Sequence, residues 1–136
     1  MSIEILAKMP VGLLPVVIFL IALVYMDSYK LLRFKTILWV IVLGGLTAWS
    51  ALYINGWILD WFDLSLRDYS RYVAPLVEEA LKALVIIYLF RSSRIGFLVD
   101  AAIMGFAVGA GFALVENLYY IQTHTDAGMA VWIVRG

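Results

Sequence analysis

Two adjacent acids and a base, Glu78, Glu79 and Lys82, interrupt the otherwise apolar run APLVEEALKALVIIYLF at positions 74–90. On membrane-insertion scales a charge near a helix centre costs about 2.5–3.5 kcal/mol, and each Leu, Ile, Val or Phe returns only about 0.3–0.6 kcal/mol. Three charges therefore ask for roughly 8–10 kcal/mol, which the flanking apolar residues do not fully offset. Such groups are expected to face a protein interior or a wet cavity. At helical spacing Lys82 lies one turn from both glutamates, so the lysine shares a face with each. An internal salt bridge would account for Lys82 and one glutamate. It leaves the second without a reason.

A further acid, Glu116, sits in VDAAIMGFAVGAGFALVENLYY, a second apolar run. Ala101, Gly105, Gly109 and Ala113 form a small-residue stripe along it, the pattern that lets membrane helices approach closely. At 3.6 residues per turn Glu116 falls on that same face. Measured from the turn near Ile95, Glu79 is about 16 residues up one helix and Glu116 about 21 up the other. At 1.5 Å per residue the mismatch is roughly 7 Å, within reach of tilt and long side chains. Glu78, Glu79 and Glu116 are thus expected to meet at one depth. Three carboxylates and a lysine there admit two chemistries: binding a metal or activating a water, or relaying protons or cations as in a transporter.

Other chemistries lack their residues. The chain has no Cys, which removes thiolate catalysis, disulfides and Cys-based zinc sites. It has no His-Glu-x-x-His and no Gly-x-Ser-x-Gly. Asp27 and Asp100 fall at helix ends, which does not suit an aspartyl dyad, and Asp100 reads as a helix N-cap. The glycines of GAGFAL follow no strand and read as packing residues. The only His, His124, lies in the polar stretch QTHTDAG and reads as an exposed loop residue.

The elements that must hold these groups are apolar. Of 136 residues 65% are hydrophobic, against about 45–50% in a soluble domain. Net charge is zero, which disfavours a nucleic-acid partner. Four runs, about 9–26, 37–54, 72–90 and 97–121, each approach the roughly 20 residues a bilayer crossing needs. Pro10 and Pro15 are expected in the first turns of the first run. Lys30, Arg33 and Lys35 follow that run, and Arg91 and Arg94 follow the third. By the positive-inside rule these linkers are cytoplasmic and the N-terminus lies outside. The first run lacks a cleavage site and reads as a retained span. Between the second and third runs, residues 55–71 with Trp57, Ile58, Trp61 and Phe62 suit a short helix in the membrane interface, as an anchor or a lid. The fold expected is all-α: one membrane-embedded domain over 1–136, a polytopic helical bundle of four spans plus the start of a fifth.

At its charged residues the chain resembles the PrsW family of intramembrane proteases, distant relatives of the CAAX-prenyl-protease and Abi group. PLVEEALKAL matches the family's Glu-Glu-x-x-Lys. FLVDAAIMGFAVGAGFALVENLYYI matches its Asp-, Gly-rich and Phe-x-x-x-Glu-Asn segment, with Phe112, Glu116 and Asn117 at the motif positions. The resemblance covers roughly residues 70–135. It implies a multi-pass peptidase of a bacterial plasma membrane, acting on a membrane-protein substrate within the lipid bilayer with a divalent metal, zinc being the expected ion. Carried over, Glu78 or Glu79 would be the general base, with Glu78 preferred. Glu79 would bind metal or fix the water, and Glu116 would be a metal ligand. Asn117 would support Glu116, and Lys82 would tune the acidic pair. The family's third motif, a His in a later span, has no match up to VWIVRG. The sequence therefore reads either as the N-terminal part of a longer enzyme or as a short homologue that does not cleave.

Overall fold

The computed structural model describes residues 3–26, 32–62, 65–92, 96 and 98–123, and no strand occurs among them. Helix α1 spans Ile3–Met26, α2 Phe34–Phe62, the single turn α3 Leu66–Asp68, α4 Ala74–Arg91 and α5 Leu98–Thr123. A π-helical turn, Tyr69–Val73, joins α3 to α4. All four apolar runs are helical where they are described. Two of the helices, α2 and the Leu98–Tyr120 part of α5, are long and apolar enough to cross a membrane by length and composition. His124 lies outside the described residues.

The centre of the bundle is the α2–α5 pair. Val40, Gly44, Thr47, Ala48 and Ala51 recur at helical spacing as the buried face of α2. They meet Met104, Ala107, Val108 and Phe112 of α5, all 3% exposed or less. Small residues set the separation: a Cβ on Gly44 would collide with the Val108 carbonyl, and one on Gly111 with the Ile41 carbonyl. Leu20 of α1 and Leu89 of α4 close the core from either side. Phe19 of α1 also stacks on Phe106 of α5, with ring centroids 4.4 Å apart.

The glycine stripe of the sequence reading is displaced. Cβ atoms added to Gly105 and Gly109 would meet nothing within 4 Å, so the expected contact face is not the close one. The seam runs instead through Met104, Val108 and Gly111, one helical step round α5. Small residues at four-residue spacing permit close approach, but the larger apolar area beside them decides which stripe is buried.

Three boundaries also differ from expectation. Helix α1 starts at Ile3, so Pro10 and Pro15 lie inside it rather than in its first turns. Membrane helices accommodate such prolines, whose missing N–H leaves a carbonyl for other partners. Residues 55–62 continue α2 to Phe62 instead of forming a separate short helix; Trp57 and Trp61 stack along it with centroids 5.0 Å apart. Asp100 lies in the first turn of α5 rather than at its N-cap, where its Oδ2 accepts from the Gly96 N–H at 3.3 Å.

A capped turn opens the segment that carries the acidic pair. Ser65 Oγ accepts from the Asp68 N–H at 3.2 Å, as an N-cap does, and donates to Asp68 Oδ2 at 2.7 Å. Five residues on, the Ala74 N–H bonds the Tyr69 carbonyl, which makes this turn π-helical. Pro75 follows directly. It has no N–H for the Arg71 carbonyl, and its ring crowds that carbonyl, so a wider turn relieves both.

Candidate functional site

The candidate site forms where the first turns of α4 face the last turns of α5. Glu78 and Glu79 are consecutive, so their side chains leave α4 about 100° apart, and the structure gives them different surroundings. Glu79 points outward. Its side chain is 72% exposed, and its Oε1 accepts from Lys82 Nζ at 2.7 Å. Glu78 is half-buried and turned toward the bundle. Glu116, Lys82 and Glu79 all lie close enough for their charges to act on it.

Lys82 is fixed from two sides. Besides Glu79, its ammonium stands 4.2 Å from the centroid of the Phe112 ring of α5, within the range of a cation–π contact. The Phe and the Lys of the two sequence motifs thus touch. Phe112 is itself held in a small cluster with Ala48 and Ala51, against which Leu81 and Val115 pack.

On α5, Glu116 is half-buried and Asn117 is buried at 8% exposure. The two side chains leave the helix about 100° apart. Asn117 therefore occupies the interior beside Glu116 rather than the same face.

Two polar residues that the sequence reading passed over reach Glu78 from elsewhere. Asn55 Nδ2 on α2 donates to Glu78 Oε1 at 3.4 Å. Tyr69 Oη in the π turn donates to Asn55 Oδ1 at 2.8 Å. Burial, and then the charge of Glu78, push the Tyr69 phenol above its ordinary value, so it stays a donor through the neutral range. A signal existed for Asn55, an amide within one helical turn of an apolar run. Taking that run to end at Ile54 assigned it to the linker.

Of the expected site residues, the structure brings Glu78, Glu116 and Lys82 together, with Asn117 beside them. Glu79 contacts the group only through Lys82. As a donor set for a metal this is incomplete. A catalytic zinc commonly takes three protein ligands, and no group of three His, Cys, Asp or Glu placed to hold an ion occurs among the described residues. Those residues alone do not fit a catalytic metal.

An apolar groove of about 480 Å³ opens between α2 and α5, lined by Trp49, Leu52, Tyr53, Val115, Leu118 and Tyr119. None of the acids lines it.

No curated protein and no solved structure matches the chain. A family model described as PrsW family intramembrane metalloprotease matches residues 33–136.

Proposed function

The chain belongs to the PrsW family of intramembrane metalloproteases, and from that premise we propose that it hydrolyses a peptide bond in or near the membrane-embedded part of another protein. Glu78 is the general base. It takes a proton from the water that attacks the substrate carbonyl and returns it to the leaving amine. Lys82 neutralises Glu79 and, anchored on Phe112, keeps a positive charge beside the base. Glu116 and Glu78 together make the acidic wall against which the water is placed, and Asn117 supports Glu116 from the interior. The metal implied by the family's description would take Glu116 as one ligand, and Glu79 could join it only by giving up its ion pair with Lys82. Zinc suits a site with carboxylate and imidazole ligands.

The observation that supports this reading best is the asymmetry of the glutamate pair. One member is exposed and neutralised by Lys82. The other is half-buried, accepts from Asn55 and lies within the electrostatic reach of Glu116. A base must keep its lone pairs for water, and the direct ion pair of Lys82 is with Glu79 rather than Glu78. On the same reading α1 and α4 cross the membrane with α2 and α5, and the N-terminus lies outside a bacterial plasma membrane.

The test is cleavage of a co-expressed membrane-protein reporter by single variants. Glu78→Gln is expected to lower cleavage by about 10²–10⁴-fold. Glu79→Gln should lower it less, since it removes a charge partner and not the base. Cleavage retained in Glu78→Gln would sink the assignment.

A further inference from the structure

Glu78 is gripped on a side that neither charged motif covers. The grip comes from two other elements: Asn55 on α2, which donates to Glu78, and Tyr69 in the π turn, which donates to Asn55. We propose that Asn55 and Tyr69 are positioning residues for Glu78. The phenol fixes which way the Asn55 amide faces, and the amide holds Oε1 so that Oε2 is left for the attacking water. This rests on the reading of Glu78 as the base.

The donor order follows from chemistry. An Asn side chain has one acceptor end and one donor end. A phenol that donates to Oδ1 leaves the NH₂ group facing the carboxylate. The reverse orientation would set acceptor against acceptor.

Tyr69 is placed with some care for this. It is 4% exposed, while Leu66–Asp68 before it and Ser70–Tyr72 after it are exposed. The π turn begins at this residue, and such turns are frequent at functional sites. A buried phenol needs a partner for its hydroxyl, and here that partner is an amide that in turn meets an acid. The amide–carboxylate contact of 3.4 Å is long for a hydrogen bond, as catalytic contacts commonly are before substrate tightens them.

The experiment reads Glu78 directly. The chain has four glutamates, Glu4, Glu78, Glu79 and Glu116. In protein carrying ¹³C-carboxyl glutamate, reconstituted in lipid, the infrared band lost in Glu78→Gln belongs to that side chain. This band is expected to shift in Asn55→Leu and to shift less in Tyr69→Phe. In the same variants kcat should fall about tenfold and about threefold, with KM within about twofold of the parent, as for a residue acting through another. Tyr69→Phe keeps the ring, so its band decides the matter even where Asn55→Leu does not fold. An unmoved band overturns the proposal, as does a moved band with unchanged kcat. A moved band in a protein that cleaves no reporter would uphold the contact and sink the peptidase reading instead.

Discussion

Adjacent glutamates on a helix cannot do the same job, because about 100° of rotation separates their side chains. Here that rotation gives Lys82 to Glu79 and the α5 carboxylate to Glu78. Replacing Lys82 by Met should therefore act on Glu79 first and leave an uncompensated acid at the site; cleavage is expected to fall about 10-fold or more, the scale of second-shell losses. Arg at this position should restore part of it, since a guanidinium also stacks on an aromatic face, and reporter cleavage by the two variants measures the difference. The proposed ligand role is tested at Glu116. Protein purified without chelator should carry bound divalent ion, and Glu116→Ala should lose it while still inserting into membrane; equal metal content in both forms would refute the ligand role. The acids and the lysine were legible in the sequence because a charge in an apolar run is conspicuous. Asn55 and Tyr69 were not, since Asn55 meets Glu78 across 23 residues of chain and Tyr69 meets Asn55 from a π turn. Neither link has a local periodicity.

Among the elements, α2 and α5 were readable as apolar helices, but the face by which they meet was not. Two stripes of small residues run along α5, and spacing alone does not choose between Gly105–Gly109 and the seam at Gly111. Tertiary packing chose the second, where Gly111 stands against the Ile41 carbonyl and Gly44 against that of Val108. Gly111→Leu should force the helices apart and destabilise the bundle by about 1–3 kcal/mol or more. Gly105→Ala and Gly109→Ala, which meet open space, should be close to neutral. Thermal unfolding of the purified variants in one detergent gives the comparison, and equal losses at all three positions would contradict the seam. Helix ends were the least legible feature. Hydropathy drops after Ile54, whereas the α2 helix continues through Asn55 to Phe62.

For the whole molecule, the proposed arrangement of crossings rests on charge rather than on packing. With Lys30, Arg33, Lys35, Arg91 and Arg94 on one side, the positive-inside rule predicts an outward N-terminus and an outward site. The absence of Cys makes this directly measurable. Ser2→Cys and Ser70→Cys should react with an impermeant maleimide on intact cells, and Ser28→Cys and Ser93→Cys only after permeabilisation. Labelling with the opposite sidedness would invert the topology. The unbroken run of α2 has a further consequence. Its 29 residues extend about 43 Å at 1.5 Å per residue, well beyond a hydrocarbon layer of about 30 Å. A helix that long answers a change in membrane thickness by tilting. Asn55 rides near its end and touches Glu78 on a different helix. If α2 crosses the membrane, a change in its lean would carry Asn55 with it and alter the seating of that carboxylate.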